Sequence, residues 1–434
     1  MSQAMTLHYD FIRFVLCDIN GTSRGQLVPI RNATQYFQHG IGIYQGILRA
    51  VPSGRIVPLS SKYPQTLGNI QLKPSQETLH PVTWMGGQDH RIGQVICETT
   101  WDLDASPQTA CPRYVARKQI ERLNEMGYDI LSGVEVEFML FDQVTKKPIY
   151  ERSGYCSNNI LNKFNHFFMD LDVKMQAAGV DIDRFHVENS PGKFEAVLKP
   201  KNGIHSPDMV FKFKEGLLEI ADQRGYDVSF MRKTELGIGA SAHFNFSILK
   251  KDSGENVFYD DHQENGLSDF ARYWIAGLQE HRNAVCAVSC PDVTSYRVLH
   301  NHVFAPSSAD WKIDGRGAML RVKKNGNHPY IENRLPPSCS NPYLILAMMI
   351  AAGLDGVINK LDCHSERTAS GDTDLPKTLS EALVGLESDS AIVEALGEEA
   401  VAWFVEVKRE GELKLFKGIT DEDVALQTEK YLYF

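Results

Sequence analysis

Two pairs of glutamates stand at spacings that can aim their carboxylates at a common point. In "GVEVEFMLF", the alternation of a strand places Glu135 and Glu137 on one face, opposite the apolar residues. In "HVENSPGKFE", Glu188 and Glu195 flank a Pro-Gly turn that can fold both carboxylates onto the same spot. Adjacent carboxylates repel each other unless something positive binds them, so the spacing indicates a cation site. The alternative is an ordinary solvent-exposed strand face.

Further polar residues occur on other segments with strand-like patterns. "SAHFNFS" places His243, Asn245 and Ser247 on one strand face, and "PYIENRLPP" brings Glu332 next to Arg334. A single histidine is more often a satisfied core residue than a ligand, so His243 alone decides nothing. Whether His243 is a ligand depends on which residues the other segments place beside it.

Taken together, these residues favour divalent metal ions and phosphate chemistry. Five glutamates and one histidine can form two oxygen-rich sites for Mg²⁺ or Mn²⁺, whereas zinc sites usually contain more His or Cys ligands. "DGRGAMLRV" supplies Arg316 and Arg321, and Arg334 follows. Two ions surrounded by arginines suit phosphoryl transfer, because they neutralise phosphate and the charge that develops on it.

Composition excludes several classes of partner. The 434 residues carry a net charge of -10, and no run of Lys and Arg is longer than two. Nothing therefore indicates binding to nucleic acid or to an anionic membrane, and we expect small molecules or copies of the chain as partners.

The N-terminus lacks the build of a signal peptide, and eight scattered cysteines form no CxxC pair, so we expect a cytoplasmic protein with reduced thiols.

The elements that must position these residues divide into two predicted domains. "FIRFVLCDINGTSRGQLVPI" reads as strand, turn and strand, and predicts a small β-rich domain over residues 1–107. A helix from Pro112 to about Gly127 then opens a second domain over residues 108–434.

Strands and helices alternate in the second domain with an antiparallel character. The acidic and histidine segments read as strands, and "SPDMVFKFKEGLLEIADQRGY" reads as a helix with Ser206 as its N-cap. "NPYLILAMMIAAGLDGVINKL" is apolar on every face, but it ends in Gly and Asn and favours a buried helix over a membrane span. The fold class expected is therefore α+β.

The order of the motifs resembles the type I glutamine synthetase superfamily over nearly the whole chain. The motifs are "EVEF", "HVE" with "PGKFE", "GASAHFNFS" and "IENRLPPSCSNPYLILAMMIAAGLDG", and the whole run is most similar to the lengsin-like branch. The resemblance implies an N-terminal β-grasp domain and a catalytic domain whose curved antiparallel sheet is surrounded by helices. It also implies a homo-oligomer, a dodecamer of two stacked hexameric rings, with active sites between neighbouring subunits.

The resemblance also implies roles for individual residues in binding ATP and Mg²⁺ (or Mn²⁺). The first metal site would be Glu137, Glu188 and Glu195, and the second would be Glu135, His243 and Glu332. The arginines that bind phosphate match Arg316 and Arg321, a further active-site arginine matches Arg334, and the serine on the adenine side matches Ser247.

Several positions depart from the family pattern around the acid and amine substrates. An asparagine of the family becomes Ile238, although the next residue, Gly239, is kept. Val298 stands where an arginine would grip the α-carboxylate of glutamate, and its neighbour Arg297 could substitute only by turning inward. Phe304 replaces the glutamate of the loop that closes over the ammonium site.

Four further departures from the family pattern affect the substrate site or a site of regulation. The "DGSS" element that carries the ammonium-binding aspartate is missing, with "GIYQGI" in its place. Lys193 replaces a glutamine, Asn245 replaces a histidine, and Thr373 replaces the tyrosine that is adenylylated for regulation. Metal and phosphate groups are thus kept, while groups that recognise ammonium and the head of glutamate are lost.

The function expected is an ATP- and Mg²⁺-dependent carboxylate–amine ligase. Glutamate or a related acid would form a γ-glutamyl phosphate-type intermediate and react with an amine other than ammonia. Gly239, Val298, Phe304 and Arg334 would line the substrate site, with Arg316 and Arg334 acting in catalysis; no general base is assigned. The alternative is a non-catalytic lengsin-like assembly protein that keeps the ring architecture.

Overall fold

The computed structural model describes residues 8–51, 54–58, 68–87, 89–152, 154–234, 237–263, 265–299, 305–363 and 374–416. Within these ranges the chain forms two main sheets, a two-stranded ribbon and a set of packed helices. All eight cysteines are free thiols.

The N-terminal sheet has six strands. They are β1 Phe11–Cys17, β2 Ser23–Pro29, β3 Ile41–Tyr44, β4 Asn69–Pro74, β5 His80–Pro81 and β6 Ile92–Trp101, in the order β2-β1-β6-β4-β3 with β5 paired to β6. β1 and β6 run parallel, and the other pairs are antiparallel. Helix α1, Ile30–His39, packs against β1 and β2.

The predicted hairpin at the start of this sheet is confirmed. The carboxylate of Asp18 accepts hydrogen bonds from the backbone N–H groups of Asn20 and Thr22, each at 2.9 Å. Gly21 adopts a φ of 85°, a conformation that glycine takes without steric cost. β6 ends at Trp101 and the next helix begins at Pro112, so the predicted boundary at residue 107 falls between them and stays a prediction.

The large sheet has nine strands. Those before the ribbon are β7 Tyr128–Asp142, β8 Ile182–Val187, β9 Lys193–Leu198, β10 Lys201–Asn202 and β11 Tyr226–Ser229; the ribbon is β12 Lys233–Thr234 and β13 Gly237–Ile238. Those after it are β14 Ala242–Lys250, β15 Trp311–Ile313, β16 Leu320–Lys323 and β17 Tyr330–Asn333. The order is β15-β16-β17-β14-β7-β9-β8, with β10 and β11 also paired to β7, and only β15 and β16 run parallel.

Helices surround this sheet. They are α2 Pro112–Glu125, α3 Asn158–Lys163, α4 Asn165–Ala177, α5 His205–Asp222, α6 Asp269–Glu280, α7 Arg282–Ser289, α8 Ser295–Val298, α9 Pro342–Asn359, α10 Leu379–Ser388, α11 Ser390–Leu396 and α12 Glu398–Val407. α9 is the one described helix long and apolar enough to cross a membrane, but 78% of that stretch is buried inside the protein. It packs against α2 and α6, which confirms the prediction of a buried helix.

Candidate active site

Strand register brings the predicted ligands onto one face of the large sheet. His243 on β14 lies directly opposite Glu135 on β7, and Glu137 lies opposite Glu195 on β9. On the other side of β14, Asn245 lies opposite Glu332 on β17. Residues directly opposite each other in adjacent strands point to the same face, so four strands contribute to one surface.

Three of these residues form one group, which we call the Glu135 group: Glu135, His243 and Glu332. The Nδ1 atom of His243 lies 3.2 Å from a carboxylate oxygen of Glu135 and 3.7 Å from one of Glu332. Burial opposes ionisation of Glu135, but the hydrogen bond and charge of His243 and the charge of Arg334 outweigh it and lower the pKa to about 2. Glu135 therefore stays ionised at neutral pH.

Two arginines hold the Glu332 carboxylate. The Nη1 atom of Arg321 donates to Glu332 at 3.0 Å, and Arg334 donates to the other carboxylate oxygen. Arg334 also donates from Nε to the backbone carbonyl of Arg316 at 2.8 Å, while Arg316 itself is exposed. The structure thus brings Arg321 and Arg334 to the Glu135 group, whereas it brings only the backbone of Arg316 into hydrogen-bond contact there.

The remaining three carboxylates form the Glu188 group: Glu137, Glu188 and Glu195. Lys193 donates from Nζ to Glu137 at 3.1 Å and lies 3.9 Å from Glu188. His186 lies 3.0 Å from Glu188 through Nε2 and 3.8 Å from Glu195 through Nδ1. The three carboxylates are therefore linked to one another through a lysine and a histidine.

Glu195 carries the strongest electrostatic penalty of the site. Burial, together with the charges of Glu135, Glu137 and Glu188, raises its pKa to about 9. Burial also opposes ionisation of Glu188, but the hydrogen bond with His186 and the charge of Lys193 outweigh it and lower that pKa. Ligand atoms of Glu195 lie within 4.8 Å of those of Glu135 and His243, and also within 4.8 Å of those of His186 and Glu188, so Glu195 lies between the two groups.

A cavity of about 410 Å³ opens beside the Glu135 group. Glu135, Asn245, Ser247, His328 and Tyr330 are part of its lining. Ser247 follows His243 and Asn245 on the same face of β14, as the alternation of that strand predicted. Glu135 and the serine predicted for the adenine side therefore line the same cavity.

The remaining predicted residues lie at different places. Val298 is buried at the end of α8, and Arg297 beside it is half-buried. The carbonyl of Gly239 accepts a hydrogen bond from Lys193 at 3.5 Å, and a side chain there would clash with the backbone of Met231. Phe304 and Thr373 lie outside the described residues. The "GIYQGI" segment falls in β3 and in the 3₁₀ turn Gln45–Arg49.

Sequence reasoning missed the contacts of Lys193 and His186. The sequence shows Lys193 only as a departure from the family pattern, and it gives no sign that His186 contacts two carboxylates. One signal was available, because Lys193 stands two residues before Glu195 and so shares its strand face. Its contact with Glu137 depends on the pairing of β7 with β9, which the sequence does not display.

Comparison with known proteins identifies the family of this chain. The model of the catalytic domain of glutamine synthetase matches residues 109–426. The chain belongs to the glutamine synthetase family. Glutamine synthetase of Thermus thermophilus is 36% identical over 339 residues, 74% of this chain and 75% of the relative. That of Halobacterium salinarum is 30% identical over 446 residues, 98% of this chain and 93% of the relative.

Human lengsin is a further relative, and solved structures share the fold. Human lengsin is 27% identical over 438 residues, 98% of this chain and 83% of lengsin, so the relatives do not single out the lengsin branch. A crystal structure of a novel glutamine synthase homolog superposes with a TM-score of 0.87 at 23% identity, over 98% of each chain. A GmaS/ADP complex superposes with a TM-score of 0.85 at 24% identity, also over 98% of each chain. The predicted α+β fold of the glutamine synthetase family is confirmed.

The donor atoms decide which group suits a divalent ion. The Glu135 group offers two carboxylates and an imidazole nitrogen, a set that Mg²⁺ or Mn²⁺ accepts. Both arginines beside the group bind the same carboxylate, that of Glu332. The other two members, Glu135 and His243, contact each other. The Glu188 group differs, because Lys193 already contacts two of its three carboxylates.

Proposed function

We propose that this family member is an ATP- and Mg²⁺-dependent carboxylate–amine ligase. It would join glutamate or a related acid, through a γ-glutamyl phosphate-type intermediate, to an amine other than ammonia. The observation that carries the proposal is the convergence of Glu135, His243 and Glu332 with Arg321 and Arg334. Glu135 of this group also lines the cavity that reaches Ser247.

The roles follow from charge and position. When bound, the divalent ion would neutralise the phosphate groups of ATP. Arg321 and Arg334 would stabilise the charge that develops on the transferred phosphoryl group, with Arg316 as the third phosphate contact. Ser247 and the cavity beside it would receive the nucleotide.

The reaction proposed has two steps. A carboxylate oxygen of the acid attacks the terminal phosphorus of ATP, and the bond from that phosphorus to the bridging oxygen of ADP breaks. The amine then attacks the carbonyl carbon, the bond from carbon to the phosphate oxygen breaks, and phosphate leaves with the electron pair. The amine loses a proton in the second step.

An amine other than ammonia is proposed because the side chains predicted for that site lack negative charge. The "GIYQGI" segment contains no acid, and Phe304 is aromatic. Ammonium depends on charge-assisted contacts, whereas a primary amine carrying hydrocarbon gains about 25 cal/mol for each Å² of apolar surface that it buries. An aromatic wall can also hold an organic cation.

The test is product detection by mass spectrometry. The full chain is incubated with Mg²⁺-ATP, glutamate or a related acid, and one of ammonium, methylamine, ethanolamine, putrescine or an aromatic amine. We expect an amide product with at least one organic amine, negligible product with ammonium, and loss of product in Glu332→Gln but not in the exposed control Glu394→Gln. Efficient turnover of ammonium would refute the altered amine site.

The second candidate is a non-catalytic, lengsin-like assembly protein. The replacement of the substrate-gripping arginine by buried Val298 favours it. The retained acids oppose it, because burial and the neighbouring carboxylates raise the pKa of Glu195 to about 9, and clustered acids without a ligand cost stability. Absence of product with every acid and amine, together with no binding of an ATP analogue, would favour this candidate.

We further propose that the protein is cytoplasmic and assembles as a dodecamer of two stacked hexameric rings. Family resemblance supports this assembly, with the acid and amine sites completed by a neighbouring subunit.

A further inference from the structure

Lys193 places an ammonium group inside the Glu188 group. Its Nζ atom lies 3.1 Å from Glu137, 3.5 Å from the carbonyl oxygen of Gly239 and 3.9 Å from Glu188. The side chain is only 8% exposed. The charge of this lysine is therefore directed at the carboxylates and away from solvent.

The strand pairing explains why the lysine reaches them. Lys193 and Glu195 are two residues apart on β9 and share one face, and Glu195 lies directly opposite Glu137 on β7. An ammonium has three N–H donors and no acceptor, and three oxygens of two carboxylates and a carbonyl surround it here. A buried lysine is costly without such partners, so the three contacts stabilise it in place.

His186 completes the linkage on the other side of the group. Its Nε2 atom contacts Glu188 at 3.0 Å and its Nδ1 atom lies 3.8 Å from Glu195. Glu137 and Glu188 thus share Lys193, and Glu188 and Glu195 share His186. The carboxylates of this group already have partners within the chain.

We infer that Lys193 is a built-in cation that takes the place of a divalent ion in the Glu188 group, so that the chain binds one divalent ion, in the Glu135 group. A Mg²⁺ ion coordinates oxygens at about 2.0–2.1 Å, so an ion bound to both Glu137 and Glu188 would lie within a few Å of the ammonium. Two positive charges that close repel strongly in a buried site. The inference replaces the first metal site expected from the resemblance, and it rests on the proposed function for the use of an ion at the Glu135 group.

The arginines of the Glu135 group contact its carboxylates differently from the way Lys193 contacts those of the Glu188 group. Arg321 and Arg334 each bind an oxygen of the same carboxylate, that of Glu332. Lys193, in contrast, contacts two different carboxylates and so occupies the space that they share. A cation that occupies this shared space competes with a metal ion, whereas cations bound to one carboxylate leave the other two ligands of the group available.

Stoichiometry of Mn²⁺ binding to the full chain tests the inference. Electron paramagnetic resonance titration without nucleotide should give one Mn²⁺ per subunit in the parent, none in His243→Ala and two in Lys193→Gln. Lys193→Met repeats the test with an uncharged side chain of similar length, and circular dichroism checks that each variant is folded. The control Lys118→Gln, which removes a surface lysine paired with Glu121, should bind one.

Either of two results would overturn the inference. The first is a parent that binds two ions or none, and the second is a folded Lys193→Gln and Lys193→Met that both still bind one. The readout is separate from activity. A parent that binds one ion and forms no amide contradicts the proposed function alone, whereas a parent that binds two and forms amide contradicts the inference alone.

Discussion

At the residue scale, Glu195 lies where the two groups of acidic side chains meet. It is buried near Glu135, Glu137 and Glu188, whose charges oppose its ionisation. Such opposition to the ionisation of a carboxyl is typical of functional sites, where charged groups are arranged for a ligand rather than for stability.

Replacing this carboxyl should therefore stabilise the metal-free protein. The raised pKa of Glu195 means that the folded protein keeps this carboxyl protonated at neutral pH, whereas the unfolded chain ionises it, and this difference opposes folding. Glu195→Gln keeps the shape and removes that cost, so we expect unfolding to become harder by about 1–3 kcal/mol at neutral pH. Thermal unfolding in the presence of a chelator measures it, with the exposed Glu394→Gln as the control. A lower midpoint for Glu195→Gln would contradict a destabilising role for this carboxyl.

Much of the site could be predicted at this scale, and the reason is local. Glu135 and Glu137 share a face because strand side chains alternate, and the same rule places His243 beside Asn245. The contact of Lys193 with Glu137 spans 56 residues and depends on strand register, so no local pattern reveals it. Family resemblance did not supply it either, because the family has glutamine at that position.

At the element scale, His281 connects helices that are distant in sequence. It lies between α6 and α7, and its ring nitrogens contact Asp389 at 2.7 Å and Asp355 at 3.0 Å. Burial opposes its charge, but the hydrogen bonds to the two aspartates outweigh burial and raise the pKa. Both nitrogens can donate only when the ring is protonated.

This contact should make stability depend on pH. Because the folded pKa is raised, the stabilisation by His281 is fully present below the unfolded value of about 6.5 and is lost as pH rises through the folded value. The difference in thermal midpoint between the parent and His281→Gln should thus be larger at about pH 6 than at about pH 9. The exposed His39→Gln should show the same midpoint as the parent at both. A difference that grows with pH would contradict the ion-pair account.

Helices α6 and α9 approach closely through glycines. A methyl group at Gly356 would lie 2.0 Å from the carbonyl oxygen of Tyr273, and one at Gly277 would lie 2.0 Å from that of Ala352. Gly356→Ala should therefore force the helices apart and destabilise the protein by about 1–3 kcal/mol. Denaturant unfolding measures this, and Gly42→Ala, which meets only an ordinary contact at 3.5 Å, should change little. Equal stability of both variants would contradict the packing account.

The sequence predicted most elements but not all of their ends. A stretch that is apolar on every face and ends in Gly and Asn predicted α9 and its burial, and turn chemistry predicted the hairpin of β1 and β2. The prediction of Ser206 as an N-cap is wrong, because α5 begins at His205 with Ile204 as its N-cap. Gly203, with a φ of 54°, turns the chain into the helix earlier than the cap pattern indicates.

At the scale of the whole molecule, we propose that assembly completes the site. The family resemblance implies active sites between neighbouring subunits, so we expect the chain to form a large ring rather than a monomer of 48.8 kDa. Light scattering should give the mass of a dodecamer, and it should persist at micromolar concentration. A strictly monomeric protein that still forms amide would show that one chain holds a complete site.

The most direct test of the central claim follows an oxygen atom. Glutamate labelled with ¹⁸O in its side-chain carboxylate is incubated with the full chain, Mg²⁺-ATP and the organic amine that gives product. The proposed ligase transfers one labelled oxygen to phosphate, because the bond from carbon to that oxygen breaks when the amine attacks. We therefore predict released phosphate that carries one ¹⁸O. Phosphate released without label, or no phosphate release with any acid and amine, would contradict the account.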